Sequence, residues 1–184
     1  MDDVEEKLIT IHPEFGIGVW RNIAVSIWHG QLTLAHVPMM ERVWEALAES
    51  YPDGFGVFSI VTPEAPMVAL DARRPVAALY ERYADVIRGA SVVVQAKGLK
   101  GTAARLVISA GQLMVRPSYP LEAHDSIGHG ARWLGARAGQ VHAAGAMLRM
   151  FTAYEARRLH CAEPATRSLP DLQTVRAGRV SAAR

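Results

Sequence analysis

The stretch from Ser91 to Met114 constrains the fold of this chain most strongly. Its first part contains three consecutive β-branched residues, Val92, Val93 and Val94, without the polar alternation of a strand that has one solvated face. Such a run is typical of a strand that is covered on both faces in the sheet of an α/β protein. The pattern therefore predicts a central strand over residues 91–96.

A glycine-containing turn and an amphipathic helix follow this strand. Gly98 and Gly101 mark the turn, and the Thr102 hydroxyl can accept a backbone N–H of the first helical turn. Apolar residues then recur at helical spacing, so we expect a helix over residues 102–115. They are Ala103, Leu106, Val107, Ala110, Leu113 and Met114. A strand–turn–helix unit indicates an α/β fold, but it does not specify a chemistry.

Further strands and helices alternate on both sides of this unit. FGIGVW over 15–20 and IAVSIW over 23–28 predict a hairpin that turns at Arg21-Asn22. The next helix has Pro38 in its first turn, and its apolar stripe consists of Val37, Met40, Val43, Trp44 and Leu47. The other predicted elements are a strand over 55–61, a helix from Asp71 or Pro75 to about Ile87, a strand over 119–124, a helix capped by Asp125 or Ser126, and a helix over 140–160.

The order of these elements predicts the fold class. Alternating strands and helices favour parallel pairing through right-handed crossovers, whereas the hairpin adds antiparallel pairing. We therefore expect an α/β fold with a mixed, mostly parallel central sheet, helices packed on it, and an extra C-terminal helix. The expected organisation is an α/β domain over 1–138, a helical extension over 139–162 and a flexible basic tail over 163–184.

The helical extension is rich in alanine and leaves two arrangements open. It can dock on the α/β domain, or it can pair with a second copy of the chain and form a homodimer. Helical spacing suggests that its inner positions are Val141, Ala144, Leu148, Phe151 and Leu159.

Charge and cysteine content restrict the classes of partner. Residues 157–184 hold six arginines against Glu163 and Asp171, so this end is basic and the remainder is mildly acidic. A basic tail can contact nucleic acid or an acidic protein, but such tails are more often simply solvated, so we do not expect nucleic acid as a partner. Cys161 is the only cysteine, which excludes an internal disulfide.

The N-terminal residues and the apolar runs bear on the location of the protein. The opening sequence MDDVEEKL is acidic and lacks the basic-then-apolar pattern of a secretory signal. No apolar run approaches the roughly 18 residues that a membrane span requires. We therefore expect a cytoplasmic protein with no membrane partner.

Several short motifs occur in an order that is known from one protein family. They are the valine strand leading into Lys97-Gly98, the helix from Ala104 to Met114, the segment from Arg116 to Pro120, and His124-Asp125-Ser126 followed by Ala131 to Leu134. Together they cover roughly residues 15–136, and they resemble a STAS-like domain. This SpoIIAA-like fold is that of bacterial anti-sigma-factor antagonists.

The resemblance implies a non-enzymatic regulatory module that binds another protein. In this family the partner is a kinase-like or anti-sigma-like protein, and the loop after the third strand, with the helix that follows, carries recognition. The matching loop here is TPEAPMVAL, from Thr62 to Leu70. The resemblance thus assigns partner binding to Thr62, Glu64, Met67, Asp71, Arg73 and Arg74.

Antagonists of the family that use a phosphorylation switch carry a serine or threonine in an Asp-Ser-Ser-Gly-like segment of this loop. The loop here lacks the Asp-Ser pair and the glycine, and Thr62 is its only hydroxyl, so we expect a module without the usual switch. Asp125-Ser126-Ile127-Gly128 is similar to the motif, but helix capping also explains it. The two candidates for phosphorylation are therefore Thr62 and Ser126.

The remaining polar motifs indicate no enzyme. The loop before the predicted helix 102–115 can hold an anion at a helix N-terminus, and a plain turn is the competing interpretation. Its candidate residues are Lys97, Lys100, Gly101 and Thr102. His124 and His129 are five residues apart, which is not the i, i+4 spacing of a helical zinc site. The sequence predicts no catalytic residue, no cofactor and no metal.

A second function remains open at this point. The CRAL-TRIO lipid-binding fold is similar in outline, and four apolar side chains could line an opening for a small molecule or a lipid. They are Met39, Met40, Met67 and Val68.

Overall fold

The computed structural model describes residues 7–96, Gly98 and 118–162. Within these residues one sheet contains six strands. They are β1 (Lys7–Ile11), β2 (Phe15–Trp20), β3 (Ile23–Trp28), β4 (Phe55–Val61), β5 (Ile87–Val94) and β6 (Leu121–His124). The described helices are a 3-10 turn (Leu34–His36), α1 (Val37–Ser50), α2 (Leu70–Arg82), α3 (Ile127–Ala138) and α4 (Ala143–Ala162). No helix of this described part is both long and apolar enough to cross a membrane.

The strands lie in the sheet in the order in which they occur in the chain. β1, β2 and β3 pair antiparallel, whereas β3, β4, β5 and β6 pair in parallel. The hairpin turns at Arg21, which has a positive φ of 51°, and Asn22. The prediction of a mixed, mostly parallel α/β sheet is therefore confirmed.

Helices cover both faces of this sheet. α1 and α2 pack on one face, and α3 and α4 pack on the other. β3 shows the alternation, because Ile23, Val25 and Ile27 lie in the core under α3 and α4, while Ala24 and Trp28 lie under α1 and α2. All six residues of β3 are buried, as expected for a strand that is covered on both faces.

The first helix confirms the predicted stripe in full. Its five predicted residues are its buried residues, namely Val37, Met40, Val43, Trp44 and Leu47. The prediction that Asp125 or Ser126 caps the next helix is confirmed for Ser126. Its Oγ accepts a hydrogen bond from the backbone N–H of His129 at 3.3 Å, at the start of α3. The last strand is shorter than predicted and begins at Leu121.

The second helix begins close to Asp71, one of its two predicted starts, but it ends at Arg82, earlier than predicted. α2 begins at Leu70 and contains Pro75, so the missing proline N–H removes one hydrogen bond without ending the helix. The apolar contacts of Ala72 and Leu79 with the core hold the helix on both sides of the proline. Ile87 opens β5, because a turn at Tyr83 ends the helix earlier.

The predicted inner face of the C-terminal helix was wrong at three of its five positions, whereas Ala144 and Phe151 are partly buried and pack against the core. Val141, Leu148 and Leu159 are 90%, 48% and 60% exposed. The buried side of α4 consists of Ala143, Ala146, Met147, Met150 and Tyr154. Apolar residues occur on several sides of this alanine-rich helix, so spacing alone did not select the face that packs. The helix does dock on the body, through α3 and the β1 edge.

The Leu134 side chain packs α3 against β4 and β5, and its replacement tests the packing of this helix on the sheet. Its side chain is fully buried, and a Cβ at Gly56 or Gly89 would lie 3.2 or 3.3 Å from it. Leu134→Ala is expected to lower the free energy of unfolding by about 2–5 kcal/mol, because it leaves a cavity between helix and sheet. Leu159→Ala, at an exposed leucine, should change it by less than about 0.5 kcal/mol. Equal losses in urea unfolding of the two variants would contradict this packing.

Candidate functional site

Two parallel strands end side by side and place a histidine beside a threonine. Trp28 of β3 is paired with Val61 of β4, so His29 and Thr62 follow at the same edge of the sheet. The backbone N–H of Thr62 donates to Trp28 O at 3.0 Å, and Thr62 Oγ1 lies 3.2 Å from His29 Nδ1. The carboxyl ends of parallel strands are where α/β sheets most often bind their ligands.

The C-terminal helix contributes a carboxylate to this edge. Glu155 Oε1 lies 2.5 Å from His29 Nε2, and Arg158 Nε donates to Glu155 Oε2 at 2.8 Å. A carboxylate only accepts hydrogen bonds, so Nε2 of His29 carries a proton in this contact. The His29 side chain is 11% exposed, so this link between β3 and α4 is largely withdrawn from water.

Tyr154 fixes the position of α4 next to this carboxylate. Its hydroxyl donates to His12 O at 2.9 Å, and its ring stacks on the His29 ring at 5.8 Å between centroids. A Cβ at Gly16 would lie 2.6 Å from the Tyr154 ring, so the glycine in β2 permits this close approach. Helix α4 is therefore anchored to the hairpin strands where it meets His29.

Glu64 lies at the exposed rim of the same edge. Its carboxylate is 3.8 Å from His29 Nδ1 and 69% exposed. Its own backbone N–H holds the pKa of the Glu64 carboxyl below the usual value of 4.5, and the Thr62 hydroxyl, His29 and Arg158 lower this pKa further. The carboxylate is thus negatively charged at neutral pH.

The loop from Thr62 to Ala69 is held against the segment that follows β3. The Gln31 side-chain amide donates to Met67 O at 2.9 Å, and the Ala69 backbone N–H donates to Leu32 O at 3.0 Å. A third bond inside the loop runs from the Ala65 N–H to Thr62 O at 3.2 Å. These bonds give the loop a defined backbone, although much of its surface faces water.

Three large apolar side chains are exposed on these two joined segments. Leu34, Met67 and Leu70 are 48%, 56% and 80% exposed. We call the surface that they form with their charged neighbours the loop surface. It consists of Leu34, Glu64, Met67, Leu70, Asp71, Arg73 and Arg74.

The structure places most of the predicted partner-binding residues on this surface. Glu64, Met67, Asp71, Arg73 and Arg74 are exposed, and Arg73 Nε donates to Val68 O at 3.3 Å. Thr62 differs from them, because it is 3% exposed and its hydroxyl contacts His29.

The other predicted site residues are not brought to this edge. Ser126 caps α3, and its phosphorylation, like that of Thr62, stays a prediction. The four predicted anion-binding residues, Lys97, Lys100, Gly101 and Thr102, lie outside the described residues. Within the part of the chain that the structure describes, no group of three or more His, Cys, Asp or Glu residues could hold a metal.

The contacts of His29 also match the order of nucleophile, base and carboxylate in hydrolases. Thr62 would be the nucleophile and Glu155 the carboxylate. Thr62 is nevertheless 3% exposed, so a substrate cannot reach its hydroxyl in this arrangement. The geometry therefore favours a structural link between the loop and α4 over a catalytic one.

Sequence reasoning missed His29, Glu155, Arg158 and Leu34. The proximity of His29 to Thr62 could have been inferred, because both follow parallel strands that are neighbours in the predicted sheet. The contributions of Glu155 and Arg158 depend on which face of α4 packs, and helical spacing did not select that face.

Comparisons with known proteins bear on the fold. No family model matches the chain, and no curated protein matches it. Among solved structures, the chain is similar to an uncharacterized protein of the DUF3478 family from Shewanella loihica PV-4, which is described as having a SpoIIAA-like fold. The identity is 12%, the TM-score is 0.49, and the match covers 68% of this chain and 96% of that one.

Two partly buried histidines predict how stability depends on pH. Burial lowers the pKa of His36 and of His124 below the usual 6.5, although Thr33 and Glu122 respectively oppose the shift. The unfolded chain therefore binds protons more readily near and below pH 6.5, so the free energy of unfolding should fall as pH decreases through this range. In an NMR titration, both rings should titrate below 6.5 in the folded protein and near 6.5 in urea. Folded-state midpoints at or above 6.5 would exclude this explanation.

Proposed function

We propose that this chain is a non-enzymatic regulatory module that binds another protein through the loop surface. The observation that carries the proposal is the exposure of Leu34, Met67 and Leu70 on two segments that hydrogen bonds hold together. Apolar side chains grouped at one place on a surface mark sites of interaction more often than isolated ones do. The position of this surface also agrees with the recognition loop that the sequence resemblance implies.

The fixed backbone of the loop favours binding by a preformed surface. The bonds from Gln31 and Ala69 join the loop to the segment after β3, and His29 joins it to α4. A surface that is already ordered loses less conformational entropy when a partner binds. The apolar area can therefore contribute more of its burial free energy to affinity.

The charges around the apolar side chains favour a protein partner. Glu64 and Asp71 are acidic and Arg73 and Arg74 are basic, so both signs occur within the loop surface. Protein interfaces commonly have a polar rim around an apolar centre. An anionic membrane would instead favour a surface of uniformly positive charge.

The alternative of a small-molecule or lipid carrier receives no support from the cavity between the sheet and α1. This cavity has a volume of about 10 Å³, and Met40, Val43 and Trp44 line it together with strand residues. That volume accommodates about one water molecule, whereas ligand pockets have volumes of roughly 300–1,000 Å³.

The proposed mechanism is control by occupancy. A kinase-like or anti-sigma-like partner would be sequestered on the loop surface and released when a competitor takes its place. The low exposure of Thr62 supports a module that works without a phosphorylation switch at this residue.

Site-specific crosslinking in the source cell tests this function. A photoreactive amino acid replaces Leu70, which is 80% exposed, and a matched protein carries it at Leu159, which is 60% exposed on α4. We expect one discrete protein adduct from position 70 and none of that mass from position 159. Mass spectrometry then identifies the partner.

A binding measurement with the identified partner completes the test. Met67→Ser and Leu70→Ser should each weaken binding by about tenfold or more, because both remove apolar area at the centre of the proposed contact. Leu159→Ser should leave the affinity unchanged. Equal adducts from both positions, or equal affinities of Leu70→Ser and Leu159→Ser, would refute binding through the loop surface.

A further inference from the structure

A histidine in the 3-10 turn before α1 takes part in a hydrogen bond in which its ring nitrogen can only accept. The backbone N–H of Thr33 donates to His36 Nδ1 at 3.0 Å. A backbone N–H is only a donor, so Nδ1 carries no proton and the ring is neutral in this arrangement. The Thr33 hydroxyl, whose Oγ1 lies 3.1 Å from Nδ1, therefore donates to the same nitrogen. The His36 ring closes its turn in this way only while Nδ1 is unprotonated.

Two aromatic side chains of the sheet pack against the His36 ring. The centroid of this ring lies 4.5 Å from that of Phe15 and 5.3 Å from that of Trp28, and both pairs meet edge to face. Trp28 is buried, so these contacts withdraw part of the His36 ring from water. A proton on His36 therefore removes the acceptor of the Thr33 N–H and also places a charge in a partly desolvated position, which disfavours the charged form.

Charged groups from the neighbouring elements also act on His36. Burial has the largest effect and lowers the pKa of His36, and the backbone of Thr33 raises this pKa in part. On the connection between β1 and β2, His12 disfavours a second positive charge, whereas Glu14 favours one. Helix α1 has no acidic residue in its first turn, and Asp71 in the first turn of α2 is exposed. The ring therefore takes up its proton at a pH below the ordinary value of 6.5.

The turn that His36 closes is part of the segment that supports the loop surface. Leu34, one of the three exposed apolar residues of that surface, lies in this turn. Leu32 directly precedes Thr33, and its carbonyl oxygen accepts the backbone N–H of Ala69 at 3.0 Å. This bond holds the end of the loop that follows β4. A turn that opens at Thr33 therefore displaces Leu34 and weakens the support of the loop at the same time.

We propose that His36 is a proton-sensitive latch of the loop surface, so that acidification opens the 3-10 turn and releases the bound partner. When Nδ1 takes up a proton, the Thr33 N–H loses its acceptor, the charged ring moves towards water, and the turn that carries Leu34 opens. The loop surface then loses its preformed shape, and binding has to restore it at a cost in conformational entropy. Release of the partner rests on the proposed function, whereas the opening of the turn is a property of the free chain.

An NMR titration of the free full chain through the midpoint of the His36 ring tests the latch itself. Acidification should lower the protection factor of the Thr33 amide against exchange by about tenfold, with the midpoint of the ring, and the Ala69 amide should follow. In His36→Asn, Oδ1 replaces Nδ1 as an acceptor that does not titrate, so both protection factors should stay within about twofold. The latch is disproved if the Thr33 amide of the natural chain keeps its protection while the ring titrates, a result that depends on no variant.

Affinity for the partner captured by crosslinking at position 70 tests the control of binding. The natural chain should bind about tenfold more weakly about one pH unit below the ring midpoint than one unit above it. His36→Asn should lose this dependence, and His142→Asn, at an exposed histidine just before α4, should retain it. Equal pH dependence of His36→Asn and the natural chain overturns control by His36. If Leu70→Ser binds like the natural chain, the proposed function and acid release both fail, while the exchange of the Thr33 amide still decides on the latch.

Discussion

The parallel pairing of β3 with β4 is the interaction on which the candidate site depends. It runs without a register shift from Ile23↔Gly56 to Trp28↔Val61, and Ser26 Oγ lies 2.9 Å from Ser59 Oγ at paired positions inside the core. A slip of one residue would turn the buried side chains of β3 to the wrong layers. The same register sets His29 beside Thr62, so the packing of the sheet and the geometry of its carboxyl edge have one cause.

Helix α4 completes that edge from a distant part of the sequence. Its small buried residues and Tyr154 hold it against the sheet, and this position brings Glu155 to His29. His29 then contacts the loop after β4 on one side of its ring and α4 on the other. The extension is therefore part of the architecture of the proposed docking site.

Sequence reasoning succeeded where one physical signal dominated. The stripe of α1 and the alternation of β3 were predictable, because in each element one regular spacing decides which layer a residue faces. It failed at α4, where apolar residues such as Leu148 and Met150 occur on different sides and only tertiary packing selects between them. It also placed Ile87 in a helix, because Val86 and Ile87 continue the helical spacing of α2. In the structure Ile87 is instead the first residue of β5, where it pairs with β4.

The same contrast applies to the candidate site. Exposed residues of one short stretch, such as Met67 in the loop and Arg74 in α2, could be predicted from the family resemblance, which points to that loop and the helix after it. The link between His29 and Glu155 spans 126 residues, and no spacing rule could have indicated it. Leu34 likewise belongs to the loop surface only because the backbone N–H of Ala69 donates to Leu32 O, and this contact joins two segments that are distant in the chain.

Amide hydrogen exchange of the full chain tests most directly whether the loop surface is held by the His29–Glu155 link. Glu155→Ala should speed exchange of the amides of 62–69 by about tenfold or more, while the amides of β5 report no change in global unfolding. Glu122→Ala, at an exposed carboxylate beside His124, serves as the control and should leave the loop unchanged. Loop exchange that is identical in Glu155→Ala and the natural chain would contradict the account, because the loop would then be ordered without α4.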